Sequence, residues 1–162
     1  MAFTKAKEHL ERCGFGDRIM EFAVSSATVK EAAEAVGSTE GEIAKTLSFL
    51  VGEEAILIVA AGDAKIENSK YKAEFHAKAK MIPFEEVEER IGHAVGGVCP
   101  FGIKEQVTVY LDVSLKQYGI VYPACGSANS AIELSCEALE AAAQNFAGWV
   151  DVCKGWQDVT LS

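Results

Sequence analysis

The sequence predicts a single α+β domain, a mixed α/β chain in which a mixed, mostly antiparallel sheet is flanked by helices. Three observations predict it. Strand-like apolar runs come in adjacent pairs, and capped amphipathic helices lie among them without a strict βαβ alternation. The 162 residues, 49% of them hydrophobic, supply one core but not two. Residues 1–162 are therefore read as one domain.

Phe3, Ala6, Leu10 and Cys13 recur at helical spacing and Gly14 follows as a C′ residue, so an opening helix is expected. Residues 18–24 read as a strand. Thr28 with Glu31 is a capping box, and the stripe Val29, Ala32, Ala33, Val36 stops at Gly37, which defines a second helix. Thr39 with Glu42 repeats the pattern with room for only a turn or so. Residues 45–51 and 54–61, joined at Gly52-Glu53, read as a β-hairpin.

Asp63 is placed to cap a helix running to about Phe75. Pro83 precedes an amphipathic segment in which Val87 and Ile91 stand among Glu85, Glu86, Glu88 and Glu89, ending near Gly92. Two further strands are expected at 107–111 and about 119–123, then a helix from about Ser135 to Phe146. Trp149, Val150 and Val152 suggest a last short strand.

Composition excludes several classes. Residues 1–10 lack the apolar run of a signal peptide, and no stretch approaches the roughly 18 apolar residues of a membrane span. A cytoplasmic protein without membrane contact is expected. The five cysteines, Cys13, Cys99, Cys125, Cys136 and Cys153, form no CxxC pair and no metal-ligand spacing, so neither a disulfide framework nor a zinc site is indicated; no cofactor is expected. A net charge of −9 disfavours DNA and general nucleic-acid binding, leaving room only for a local RNA contact.

Chemistry has three candidate locations. Strand alternation puts Lys45 on the side of Leu47, Phe49 and Val51. Its stem either covers apolar surface with the ammonium reaching water, or the charge stands at a pocket mouth facing an anionic ligand. The second location is Val95-Gly96-Gly97-Val98-Cys99-Pro100-Phe101-Gly102. Three glycines and a proline there either form an ordinary turn or bring bare N–H groups up to an ester carbonyl. Cys99 within it is a candidate thiol nucleophile with His93 as the nearest base in sequence, although a small buried hydrophobe is the commoner role. The third is Gly126-Ser127-Ala128-Asn129-Ser130, whose hydroxyls and amide suit a ribose or amino group as well as a plain turn. Asp112 and Glu133 are candidates for a substrate ammonium or for capping. Lys65, Lys70, Lys72, Lys78 and Lys80 form the basic stretch of an acidic chain, either a solvated face or a grip on an RNA backbone.

Read together, Ile43-Ala44-Lys45-Thr46-Leu47, the 95–102 loop and Gly126 through Leu134 resemble the landmarks of the YbaK/prolyl-tRNA-synthetase-associated editing family over roughly residues 20–150. The resemblance implies a barrel-like sheet with surrounding helices and hydrolysis of the ester between a wrong amino acid and a proline-type tRNA. Lys45 matches the family's functional lysine, Gly96 and Pro100 its G-x-x-x-P loop with Gly97 and Val98 inside it, and Gly126-Ser127 its substrate-lining turn. Members use no metal, and a water, a ribose hydroxyl or a substrate thiol is the nucleophile in different branches. Tyr122-Pro123-Ala124-Cys125-Gly126 lacks the histidine of some alanine-clearing branches, while Lys45-Thr46 is closer to the cysteine-clearing branch.

The expectation is thus a trans-editing deacylase of Cys-tRNA(Pro), or of another small amino acid on tRNA(Pro). Its expected partners are the mischarged acceptor end and prolyl-tRNA synthetase. A non-catalytic aminoacyl-tRNA or small-ligand binding module and a Cys99 thiol hydrolase are the alternatives.

Overall fold

The computed structural model describes residues 2–155. The chain runs α1 (Ala2–Arg12), β1 (Ile19–Glu21), α2 (Val29–Val36), β2 (Ile43–Val51), β3 (Glu54–Ala61), β4 (Lys65–Ile66), α3 (Asn68–Phe75), α4 (Val87–Ile91), β5 (Thr108–Asp112), β6 (Tyr122–Pro123), β7 (Ser130–Ile132), α5 (Cys136–Ala142), β8 (Phe146–Val150) and β9 (Cys153–Lys154). A five-stranded curled sheet in the order β6-β2-β3-β5-β8 is flanked by the two-stranded ladders β1-β7 and β4-β9. Among the described residues no helix is long and apolar enough to cross a membrane.

Strand β3 shows how the core is divided. Its residues Leu57 through Ala61 are all fully buried, as a continuous apolar strand requires when both sheet faces are covered. Leu57 and Val59 point to one side, with Ala6 and Leu10 of α1, Ile91 of α4 and Leu139 of α5. Ile56, Ile58 and Ala60 point to the other, with Tyr71 and Phe75 of α3. Helix α2 closes the sheet edge by packing Ala32 and Ala33 near Ile43 and Tyr122. The first turns of α1 lie close beneath two glycines: a Cβ on Gly102 would fall 2.6 Å from the Lys5 carbonyl carbon, and one on Gly126 2.8 Å from Ala2 O.

The mixed α/β class, the hairpin and the α2 capping box are as the sequence predicts. Thr28 Oγ1 accepts from Glu31 N, Glu31 Oε1 accepts from Thr28 N, and Gly37 follows in the left-handed region. The hairpin register closes at Val51 opposite Glu54. Thr39 and Glu42 bond to each other, but only a turn forms before β2.

Four details differ. In the central sheet only β2-β3 is antiparallel, while β2-β6, β3-β5 and β5-β8 are parallel. Long helix-bearing crossovers separate β3 from β5 and β5 from β8, which is what parallel neighbours need. With the hairpin, the two small ladders and the isolated bridges taken together, antiparallel pairing is still the commoner among the described residues, as expected. Asp63 caps no helix: β4 intervenes, and α3 begins only at Asn68 after Glu67. The 18–24 strand shrinks to three residues in β1. The last helix stops at Ala142, because Gln144 bonds to Ile103 and Asn145 adopts φ 55°, turning Phe146 into β8.

Candidate functional site

The outer edge of β2 is covered at both ends and open between them. Ile43 and Ala44 pair with β6, while Ile82 N donates to Ser48 O at 3.1 Å and Leu50 N to Lys80 O at 2.8 Å. Among the described residues no strand lies against that edge at Lys45–Leu47. Backbone groups of alternate residues point the same way, so Thr46, in phase with Ser48 and Leu50, turns its N–H and C=O to the open edge. A cleft of about 420 Å³ stands there, walled by β2, the segment entering α2, residues 81–87, the 95–98 loop and β7.

Lys45, Gly96 and Val98 line this cleft. Gly97 stands behind them, packed so tightly on the 126–127 turn that a Cβ would lie 2.6 Å from Ser127 N. Only glycine permits that approach. Gly96 has φ 98°. Pro100 is buried, with its carbonyl accepting from Gln144 N, and helps fix the loop without reaching the cleft wall. Gly126 and Ser127 form an outer layer: Ser127 Oγ bonds to Ser130 Oγ at 2.7 Å, and Ser130 lines the cleft. The structure thus brings all three predicted segments together; of the seven residues singled out in them, Lys45, Gly96 and Val98 form wall, and Gly97, Pro100, Gly126 and Ser127 support it.

Backbone donors in the glycine loop are partly committed. Gly97 N donates to Ala94 O at 3.0 Å. The N–H groups of Gly96 and Val98 have no protein partner among the described residues, and both residues face the cleft. They are the groups available to an incoming carbonyl.

Lys45 projects from β2 on the face opposite Thr46, as alternation dictates. Its Nζ donates to Gly62 O at 3.3 Å and to Ala64 O. Burial holds its pKa below the ordinary 10.5, with Lys65 adding to the effect and the charges of Cys153 and Asp63 opposing it. An ammonium has three donors. Two are fixed by carbonyls, which leaves one for an anion or hydroxyl.

The structure adds Ser26 to the site and gives Thr46, already part of the Lys45 segment, a place in the cleft wall. Ser26 Oγ and Thr46 Oγ1 are buried without a hydrogen-bond partner among the described residues, and both residues line the cleft. Buried hydroxyls are ordinarily satisfied, so two orphans on residues of the same cleft wall distinguish this region. Ser26 is held in place by its N–H donating to Ala128 O at 2.6 Å. The sequence offers little signal for Ser26, which sits in the small-residue run before the Thr28 capping box.

The thiol alternative meets a physical obstacle. Cys99 Sγ lies 3.4 Å from His93 Nε2, so the suspected pair is in contact. Both side chains are fully buried and neither lines the cleft. Burial pushes the Cys99 thiol up to about 12 and the His93 imidazole down, so thiolate and imidazolium are both disfavoured. Asp112 is a structural cap, accepting from Ser114 N and Val152 N. Glu133 is exposed and accepts from the Tyr122 hydroxyl at 3.3 Å. In the basic stretch Lys70 is paired with Asp151 at 3.1 Å, whereas Lys65, Lys72, Lys78 and Lys80 are exposed. Among the described residues no group of three or more His, Cys, Asp or Glu side chains is arranged to hold a metal ion.

Fold and site together define a mixed α/β domain with a mostly apolar cleft built around open backbone groups, hydroxyls and a lysine rather than a nucleophile–base pair. The sequence model of the aminoacyl-tRNA editing domain matches residues 24–142. An uncharacterized Bacillus subtilis protein, YwhH, is 48% identical over 97% of this chain and 100% of its own length. An Enterococcus faecalis protein named as a candidate Cys-tRNA(Pro)/Cys-tRNA(Cys) deacylase, EbsC, is 32% identical over 84% of this chain and 85% of its own. A crystal structure described as a candidate trans-editing enzyme for prolyl tRNA synthetase superposes with a TM-score of 0.82 at 31% identity, covering 95% of this chain and 98% of that one. The chain belongs to the aminoacyl-tRNA editing domain family.

Proposed function

We propose that this protein is a trans-editing hydrolase that deacylates mischarged tRNA, with Cys-tRNA(Pro) or another small amino acid on tRNA(Pro) as substrate. The observation that carries the reading is the cleft at the open edge of β2, where Lys45, Gly96 and Val98 meet the orphaned hydroxyls of Ser26 and Thr46. An aminoacyl ester is already activated, so positioning against preorganised donors supplies much of the catalysis needed.

In this arrangement the remaining donor of Lys45 holds the terminal phosphate or ribose, and the N–H groups of Gly96 and Val98 face the acyl carbonyl. The backbone edge and hydroxyl of Thr46, with Ser26, receive the amino group and side chain. Pro100, Gly97 and the Gly126-Ser127 turn keep the loop in place. The attacking group is a water, assisted by the neighbouring ribose hydroxyl, or, for a cysteinyl substrate, its own thiol, which closes a thiolactone as the ester C–O bond breaks and the ribose oxygen takes up the proton. With water, the new C–O bond forms as the ester C–O bond to ribose breaks, releasing free amino acid and intact tRNA. The reading places the protein in the cytoplasm, acting on the acceptor end alongside prolyl-tRNA synthetase. Size supports a small acyl group, because about 420 Å³ must also admit part of the ribose.

The test is deacylation of proline tRNA carrying cysteine, alanine or proline by the wild type and by Lys45→Ala. Release from one mischarged species, sparing of prolyl-tRNA and a loss of at least about a hundredfold in the variant are expected, with a cooperative melt retained even though the Gly62 and Ala64 carbonyls lose their donor. Full activity in Lys45→Ala removes the lysine from the mechanism. No turnover of any species would favour a binding module.

A further inference from the structure

The mouth of the cleft is unusually apolar. Of the large hydrophobic side chains that stand exposed, Phe84 at 75%, Met81 at 58% and Val95 at 48% all belong to the walls of this one cleft. Single exposed hydrophobics need no explanation, whereas a cluster around a pocket marks a contact surface. The platform is also fixed. Residues 80–82 are tied to β2 by the Leu50–Lys80 and Ile82–Ser48 bonds. Phe84 opens a short 3-10 turn between Ile82 and Val87, both buried. The ring is therefore presented by rigid backbone on either side.

The charges around it are divided. Lys78 and Lys80 are exposed on the approach to Met81, while Glu85, Glu88 and Glu89 are exposed beyond Phe84. A polyanion reaching the mouth is directed to the lysine side. If the cleft holds an aminoacyl ester, the ribose bearing that ester also carries a purine, which covalent geometry keeps at the mouth. Base–aromatic stacking needs an exposed π-face with basic groups nearby.

We propose that Phe84, supported by Met81 and Val95, is the docking platform for the terminal adenine of the tRNA, with the phosphate backbone leaving over Lys78 and Lys80. The inference rests on the reading of the cleft as an aminoacyl-ester site, and its test separates the two. An uncharged acceptor-stem minihelix of proline tRNA with 2-aminopurine as its last base is titrated with the full chain, and deacylation is measured in parallel.

Wild type and Phe84→Tyr are expected to quench the 2-aminopurine fluorescence, and Phe84→Ala to abolish the quench while melting at the wild-type temperature. In deacylation Phe84→Ala should raise KM about tenfold, within the range of base–aromatic stacking, with kcat nearly unchanged and Phe84→Tyr restoring KM. Quenching that depends on Phe84 without turnover of any charged species upholds the platform and removes the deacylase reading. Turnover with no quenching, or with Phe84→Ala indistinguishable from wild type, overturns the platform and leaves deacylation standing. Absence of both overturns both.

Discussion

Two regions of the molecule hold groups that chemistry could use, and they are opposites. At Cys99 and His93 a nucleophile and a base are in contact at 3.4 Å, yet both are fully buried. At the β2 edge there is access, open backbone and two orphaned hydroxyls, yet no histidine or cysteine lines the cleft. The contrast teaches that reactive residue types count for little where neither substrate nor charge can enter. A thiol pushed to about 12 beside an imidazole held neutral is packing material. Modest groups around a cavity, by contrast, suit a substrate that arrives activated.

Three experiments would break or sharpen this comparison. Thr46→Val and Ser26→Ala should each lower kcat/KM about threefold to tenfold, the worth of one hydrogen bond. Because neither hydroxyl has a partner among the described residues, thermal stability should hold or rise slightly. A fall in Tm matching the fall in activity would make these residues structural.

The next effect is a pH profile. Lys45 sits below 10.5 because burial disfavours its charge, so deprotonation begins at lower pH than for an exposed lysine. Activity that depends on the ammonium should be full at neutral pH and fall as pH rises through that lowered value. A plateau extending past 10.5 would separate the charge of Lys45 from catalysis.

The smallest effect is expected on the buried side. Cys99→Ala should leave kcat/KM within about twofold while costing about 1 kcal/mol of stability for the lost packing. Thiol alkylation of the folded wild type should not inhibit. Inactivation by either route would reverse the roles of the two regions.

Much of this was legible in the chain. The Thr28–Glu31 capping box, the Gly52-Glu53 hairpin and the gathering of the Lys45, Gly96 and Gly126 segments follow from local pattern, cap chemistry and the family resemblance. Parallel pairing was not legible, because direction is set by crossovers rather than by the strands. Short strands such as β4 and β9 carry too few residues for a period. Phe84 was hidden for another reason: one aromatic after Pro83 and ahead of Glu85 and Glu86 has the look of a core residue, and only its 75% exposure shows that it faces out. Ser26 became notable only through the hydrogen bond it lacks, which no pattern of residues encodes, and Thr46, legible as part of the Lys45 segment, gained its orphaned hydroxyl the same way.

Helix α1 lies outside residues 24–142, the span matched by the family model, yet its backbone presses against Gly102 and Gly126 at the ends of both site loops. It acts as a keel. A fragment trimmed to the recognised family span would keep every residue of the cleft wall and still lose the surface on which its loops rest. The functional unit is larger than the signature that identifies it, and grafting or minimising this domain has to carry that first helix along.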